Sequence, residues 1–140
     1  KTLYLPEQVS ADAYKSLIRE SSIADVLQDI SQSDAVIHGI GLAQEMAQRR
    51  GYDSIKLSRL REKKAVTECF GCFFDENGKV VDRITQVGLQ FENLYKIPHI
   101  FAFACGSRKA EAIKAYMPNA PHQTWLITDE GASNMILKGK

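Results

Sequence analysis

Apolar residues along this chain alternate between short solid runs and stretches with helical spacing. The clearest solid run is Ile100-Phe101-Ala102-Phe103-Ala104-Cys105, preceded by Pro98 and ended by Gly106. A run so short, bounded in this way, predicts a strand buried on both faces. Ser107 is then placed to cap a helix, and Ala110, Ile113, Ala115 and Tyr116 follow at helical spacing. The same grammar recurs earlier: an apolar strand over 35–40 runs into Gly39 and Gly41, then a helix over 42–50 with Leu42 and Met46 inward. Further strands are predicted over 2–5, ended by Pro6, and over 124–128. Ser10 is placed to cap a helix reaching about position 19, and Ser21 or Ser22 starts another with Ile23, Val26, Leu27 and Ile30 on one face. Residues 52–64 and 91–95 read as helices, and Asp129-Glu130-Gly131 leads into a last one, with the acids placed to cap it or, less favoured, to bind ligand hydroxyls.

One segment breaks the alternation. Residues 65–74 are strand-like throughout, Asp75-Glu76-Asn77-Gly78 is a turn signal, and 79–84 returns as an antiparallel partner. The whole pattern predicts one α/β domain over 1–140: a mainly parallel sheet with helices on both faces and a β-hairpin inserted.

Composition narrows the function classes. The 140 residues, 44% hydrophobic and 25% charged, suit a globular domain with a real core. A formal net charge of +1 gives no nucleic-acid footprint over the whole chain. No apolar run approaches the ~20 residues of a membrane span, so no membrane partner is expected. The first residues do not form a signal peptide. The chain opens without methionine directly in strand-like sequence, as expected of a fragment. Three cysteines are an odd number. Cys69 and Cys72 have CxxC spacing without a second ligand pair, and on a continuous strand they would face opposite ways. The expectation is reduced, mostly buried thiols in a cytoplasmic protein.

Candidate chemistry gathers at the ends of the predicted strands, where open α/β sheets bind ligands. Gly106 and Ser107 form one strand-to-helix turn, and Lys109 adds a charge beside the helix amides, an arrangement that favours an anion. A plain turn with a solvated lysine satisfies the same pattern. Gly39 and Gly41 allow close approach of a ligand or only a tight turn. Arg49 and Arg50 suit a helix C-terminus, and either could turn back onto an anion. Glu68 is a lone carboxylate in an apolar run; it faces water, pairs with a cation, accepts sugar hydroxyls, or acts as a general acid/base. Lys56, Arg59, Arg61, Lys63 and Lys64 read as a solvated face. There is no Walker loop, full GxGxxG or GxSxG, and no convincing metal-ligand cluster, so neither cofactor nor metal is expected. His38, His99 and His122 stand isolated.

A set of segments taken together carries a resemblance: His38-Gly39-Ile40-Gly41, Ala47-Gln48-Arg49-Arg50, Ala65-Val66-Thr67-Glu68, the stretch from Phe73 through Gly78 to Val81, Gly106-Ser107-Arg108-Lys109-Ala110, and Leu126-Ile127-Thr128-Asp129-Glu130-Gly131. In this order, over essentially the whole chain, they resemble the sugar-binding domain of SorC-family bacterial transcriptional regulators. The resemblance implies a fold like sugar-phosphate isomerases and deaminases, and the C-terminal part of an effector domain. The DNA-binding helix-turn-helix domain and the first part of the effector domain would lie outside this chain. It implies a repressor module that binds a phosphorylated sugar, with fructose 1,6-bisphosphate as the leading candidate. Operator DNA would be reached only through the separate domain, and the protein would be a homo-oligomer. By the same resemblance Arg49 and Lys109 contact phosphate and Glu68 contacts sugar hydroxyls. Cys105 departs from the family, which commonly has a glycine there. The rival reading is a sugar-phosphate isomerase or deaminase on the same fold; against it, no acid/base partner for Glu68 is placed nearby by sequence.

Overall fold

The computed structural model describes residues 1–5 and 9–138. Within them the solid apolar runs become a three-stranded parallel sheet: β1 (Ala35–Gly39), β6 (His99–Phe103) and β7 (Thr124–Ile127), in the order β1-β6-β7. Register pairs Ile37 with Phe101 and Phe101 with Trp125. A second, four-stranded antiparallel sheet holds β2 (Gly41–Leu42), β3 (Ala65–Cys69), β4 (Cys72–Asp75) and β5 (Val80–Arg83) in sequence order. The helices are α1 (Ala11–Leu17), α2 (Ser21–Ser31), α3 (Ala43–Arg49), α4 (Ser54–Glu62), α5 (Ala110–Tyr116) and α6 (Glu130–Lys138). The α/β class, with a helix-flanked parallel sheet and an antiparallel hairpin element, is as the sequence predicts.

The two sheets share one helix. On β6, Ile100 and Ala102 are fully buried and join Ala112, Ile113 and Tyr116 of α5 in the main core, which continues into Phe74 and Cys72 of β4. Phe73, the neighbour of Phe74, points to the other face of its sheet. There it packs with Ala43 and Ala47 of α3 and Leu60 of α4 in a second cluster. The order of layers follows: parallel sheet, α5, antiparallel sheet, then α3 with α4. Alanines at 43, 47, 110, 112 and 115 are all buried and let the helices lie close to their neighbours. The face of the parallel sheet away from α5 carries Ile37 and Trp125, 72% and 66% exposed.

Helix starts follow capping chemistry where a short polar side chain is available. Ser10 accepts the Ala13 amide at 3.2 Å, and Asp53 accepts the Lys56 amide at 2.8 Å. Asp129 caps α6 through the Ala132 amide at 2.9 Å.

Three expectations are corrected. Residues 2–5 form no strand: Tyr4 is 89% exposed and Lys1 instead pairs with Asp29 at 2.8 Å. A strand needs a ladder partner, and among the described residues β1 pairs with β6 and with no segment from 2–5. The proposed end of that strand at Pro6 lies outside the described residues. Residues 65–74 are not one strand but two, joined by a turn at Phe70 and Gly71. The turn sets Cys69 opposite Cys72 in register, so both thiols enter the same core instead of facing opposite ways. Ser107 does not cap α5; it opens a 3-10 turn (Ser107–Lys109), and α5 starts at Ala110 without a side-chain cap.

Candidate functional site

The chain crosses from one sheet to the other at Gly39-Ile40-Gly41. Gly39 ends β1, the Ile40 amide donates to the Phe103 carbonyl at 3.0 Å, and Gly41 starts β2 beside Glu68. Gly41 has to be glycine for packing reasons. A Cβ there would lie 2.6 Å from Met46 Cγ and 3.0 Å from the Glu68 carbonyl oxygen. The crossover exposes backbone at the carboxyl end of the parallel sheet, where α/β folds place ligands.

A cleft of about 470 Å³ opens there. Its lining includes Gly39, Gly41, Arg49, Glu68 and Lys109, five residues expected from sequence, contributed by β1, β2, α3, β3 and the turn before α5. Gly106 and Ser107 are not in that lining. Gly106 has φ +95 and its amide donates to Asp129 Oδ2 at 2.8 Å, so that donor is already engaged. The Gly106 carbonyl accepts the Lys109 amide at 2.9 Å. This turn delivers Lys109 to the cleft.

Lys109 is half-buried and donates from Nζ to the Ile40 carbonyl at 2.7 Å. An ammonium has three donors, so this bond positions the charge and leaves two donors for a ligand. Arg49 ends α3 and is exposed. The next residue behaves differently. Arg50 turns inward, and its Nη1 lies 3.1 Å from Glu68 Oε2, with the two side chains only 8% and 4% exposed. Glu68 Oε1 accepts the Gly71 amide at 2.7 Å. Of the readings open for Glu68, pairing with a cation is therefore realised in the structure, and the cation is Arg50.

The cleft also takes in Arg50, the other arginine the sequence offered, and His38, Met46, Cys69, Phe70, Gly71 and Gln86, which sequence reasoning did not assign to it. The CxxC run and the isolated His38 are visible in the sequence, but only the fold sets Cys69 and the Phe70-Gly71 turn beside His38 at the crossover. His38 Nδ1 lies 3.2 Å from the Gly39 carbonyl and Nε2 3.3 Å from the Tyr116 hydroxyl. Burial pushes its pKa below the usual histidine value, so the ring is neutral at pH 7. Burial likewise pushes the Cys69 thiol up, which leaves it protonated and unreactive. With both nitrogens of His38 engaged and Glu68 held by Arg50 and Gly71, the cleft is arranged for binding more than for proton transfer.

Its electrostatics favour an anion. Arg49, Arg50 and Lys109 stand against one carboxylate, Glu68. Among the described residues no group of three or more His, Cys, Asp or Glu side chains is placed to hold a metal, and no helix is long and apolar enough to cross a membrane.

Comparison with known proteins identifies the family. Residues 1–138 match the Sugar-bind family model, which describes a sugar-binding domain. The chain is 44% identical over 138 residues to the central glycolytic genes regulator of Bacillus subtilis, covering 99% of this chain and 40% of that protein. It is 42% identical to the protein of the same name from Priestia megaterium, with the same coverage. The chain thus spans about two-fifths of the length of these curated relatives. Among solved structures, a SorC family transcriptional regulator from Enterococcus faecalis superposes with a TM-score of 0.90 at 53% identity, over 98% of this chain and 56% of that one. These relatives are named as regulators of transcription, not as isomerases or deaminases. The similarity to these regulators agrees with the family match: the chain belongs to the Sugar-bind family of sugar-binding domains.

Proposed function

We propose that this chain is the effector-sensing module of a bacterial repressor, and that its effector is a phosphorylated sugar, with fructose 1,6-bisphosphate the leading candidate. The observation that carries the reading is the convergence of Lys109 and Arg49 on one cleft beside the buried Arg50–Glu68 pair. Lys109 supplies a positioned point charge and Arg49 a planar fork of donors, and both suit phosphate oxygens. A carboxylate offers about four acceptor sites. Gly71 and Arg50 take one each from Glu68, and the remainder serves a sugar hydroxyl. Gly39 gives the ligand close access to the crossover and Gly41 lets β2 close on β3 behind it, while Gly106 and Ser107 act by holding Lys109 in place. Names of relatives that regulate glycolytic genes support the choice of a glycolytic intermediate.

Regulation follows from linkage. A ligand shifts a conformational equilibrium only by its differential affinity for the two states. The cleft joins α3, β3 and the turn before α5, so ligand contact couples both sheets. That coupling then alters the oligomeric state or DNA affinity of the full cytoplasmic repressor, whose operator is read by a separate helix-turn-helix domain.

A thermal-shift screen of glycolytic intermediates tests the reading. Ligand at 100 times Kd adds about 2.7 kcal/mol of stability. For a domain of this size that raises Tm by roughly 5–11 °C. Fructose 1,6-bisphosphate or a close relative should produce such a shift. A flat response to every sugar phosphate contradicts the proposal, and turnover of any of them would favour the isomerase or deaminase reading.

A further inference from the structure

The turn joining β3 to β4 consists of Phe70 and Gly71, with φ values of +51 and +73. Two consecutive positive φ angles are the pattern of a type I′ hairpin turn, which favours Asn, Asp or Gly at both positions. A bulky aromatic residue at positive φ is an outlier there. Local backbone preference therefore does not account for Phe70, and its surroundings hold the conformation in place. Glu68 Oε1 accepts the Gly71 amide at 2.7 Å from beneath the turn. The Gln86 side chain lies so close over Gly71 that a Cβ there would meet it at 3.0 Å. The Phe70 ring sits on His38, centroids 4.6 Å apart and tilted by 55°. His38 is itself fixed by the Gly39 carbonyl and the Tyr116 hydroxyl.

The result is a rigid, half-buried aromatic surface lining the same cleft as Lys109 and Arg49. Ligand pockets commonly combine such a surface with a few placed polar groups, the apolar wall giving shape selectivity and the polar groups giving orientation. We propose, resting on the sugar-phosphate reading above, that Phe70 is the specificity-determining residue on which the carbon face of the sugar packs. A sugar presents C–H groups to such a ring; a bare phosphate gains nothing from it. Phe70 then explains why the site accepts a sugar phosphate in preference to inorganic phosphate, a distinction that Lys109 and Arg49 cannot make.

The test is isothermal titration of the protein with fructose 1,6-bisphosphate, glucose 6-phosphate and inorganic phosphate. The variants are Phe70→Asn, which suits the backbone and removes the ring; Phe70→Leu, which keeps apolar bulk on the core; and Phe70→Tyr, which keeps the ring. The Asn and Leu variants should lose about 2- to 10-fold in affinity for the better-bound sugar phosphate, the range for an aromatic contact. Both should bind inorganic phosphate as the wild type does, and Phe70→Tyr should bind all three like the wild type. Retained phosphate binding also reports that the cleft is folded. Wild-type sugar-phosphate affinity in Phe70→Leu overturns the proposal while leaving the sugar-phosphate reading intact. An equal loss for phosphate and sugar phosphate also overturns it, because Phe70 would then only shape the cleft. Failure of the wild type to bind any sugar phosphate removes both readings together.

Discussion

Removing the carboxylate of Glu68 should be among the most damaging single changes in this domain. Its two oxygens hold the Gly71 amide at 2.7 Å and the Arg50 guanidinium at 3.1 Å, and both partners of the ion pair are almost wholly buried. Breaking a buried ion pair from one side is strongly destabilising and costs about 3–5 kcal/mol. The stranded Gly71 donor is part of the same loss and is not added to it, because neighbouring effects are not additive. For a chain of this size, roughly 2–4 °C of Tm accompanies each kcal/mol. Glu68→Ala should therefore lower Tm by about 6–20 °C and lower the urea midpoint with little change in slope. Replacing both partners by apolar residues, Arg50→Met with Glu68→Leu, should recover most of that loss, since the pair's desolvation cost disappears with it. A Glu68→Ala variant within about 1 kcal/mol of wild type, in the range of an exposed pair, would refute the reasoning. One corollary concerns binding assays: a loss of affinity in Glu68→Ala reports on cleft integrity first, so Lys109 and Arg49 are the cleaner probes.

Other consequences can be measured independently. Lys109→Ala should weaken sugar-phosphate binding by about 1.5–3 kcal/mol, the range for a hydrogen bond to a charged group; calorimetry finding no change would remove Lys109 from the site. The amides of Ala132 and Gly106 hold the Asp129 carboxyl below the usual aspartate range. A folded-state pKa below the unfolded one means that this contribution is complete above the ordinary aspartate value near 3.8 and is lost as pH falls through the folded value. The acid limb of the urea midpoint should therefore be shallower in Asp129→Asn than in wild type, and identical limbs would contradict it. Cys105 is exposed whereas Cys69 and Cys72 are buried. A thiol reagent should modify Cys105 in the native protein and reach the other two only on unfolding; rapid labelling of all three would show the β3–β4 turn to be open.

Much of the architecture could be read from local pattern because local pattern determines it. Solid apolar runs ended by glycine became β1 and β6, and Asp75-Glu76-Asn77-Gly78 became the turn between β4 and β5, with Asp75 Oδ1 accepting the amides of Asn77 and Lys79. The errors fall where a partner distant in sequence decides the outcome. Residues 2–5 have strand propensity but pair with no strand. The run from Cys69 to Phe74 hides its turn, because Phe70 is a residue that turn statistics would not choose. For the site, sequence placed Arg49, Glu68 and Lys109 at strand and helix ends, and those ends meet. It could not tell which of two adjacent arginines turns inward. That depends on how the end of α3 sits over β3, through Ala43 and Ala47 packing closely enough for Arg50 to reach Glu68. His38 and Phe70 joined the site for the same reason, through a contact between β1 and a turn about thirty positions away.

The most direct test of the central claim is a crystal structure of the protein with fructose 1,6-bisphosphate. The account predicts a phosphate at the crossover, with oxygens about 2.7–2.9 Å from Lys109 Nζ and the Arg49 guanidinium, the spacing of charge-assisted hydrogen bonds. The sugar carbons should lie against Phe70, with the Arg50–Glu68 pair intact behind them. Ligand density away from this cleft, such as in the basic cleft formed by Tyr52, Lys56, Arg59 and Lys63, would contradict the claim, as would a bound phosphate with neither Lys109 nor Arg49 within hydrogen-bond reach.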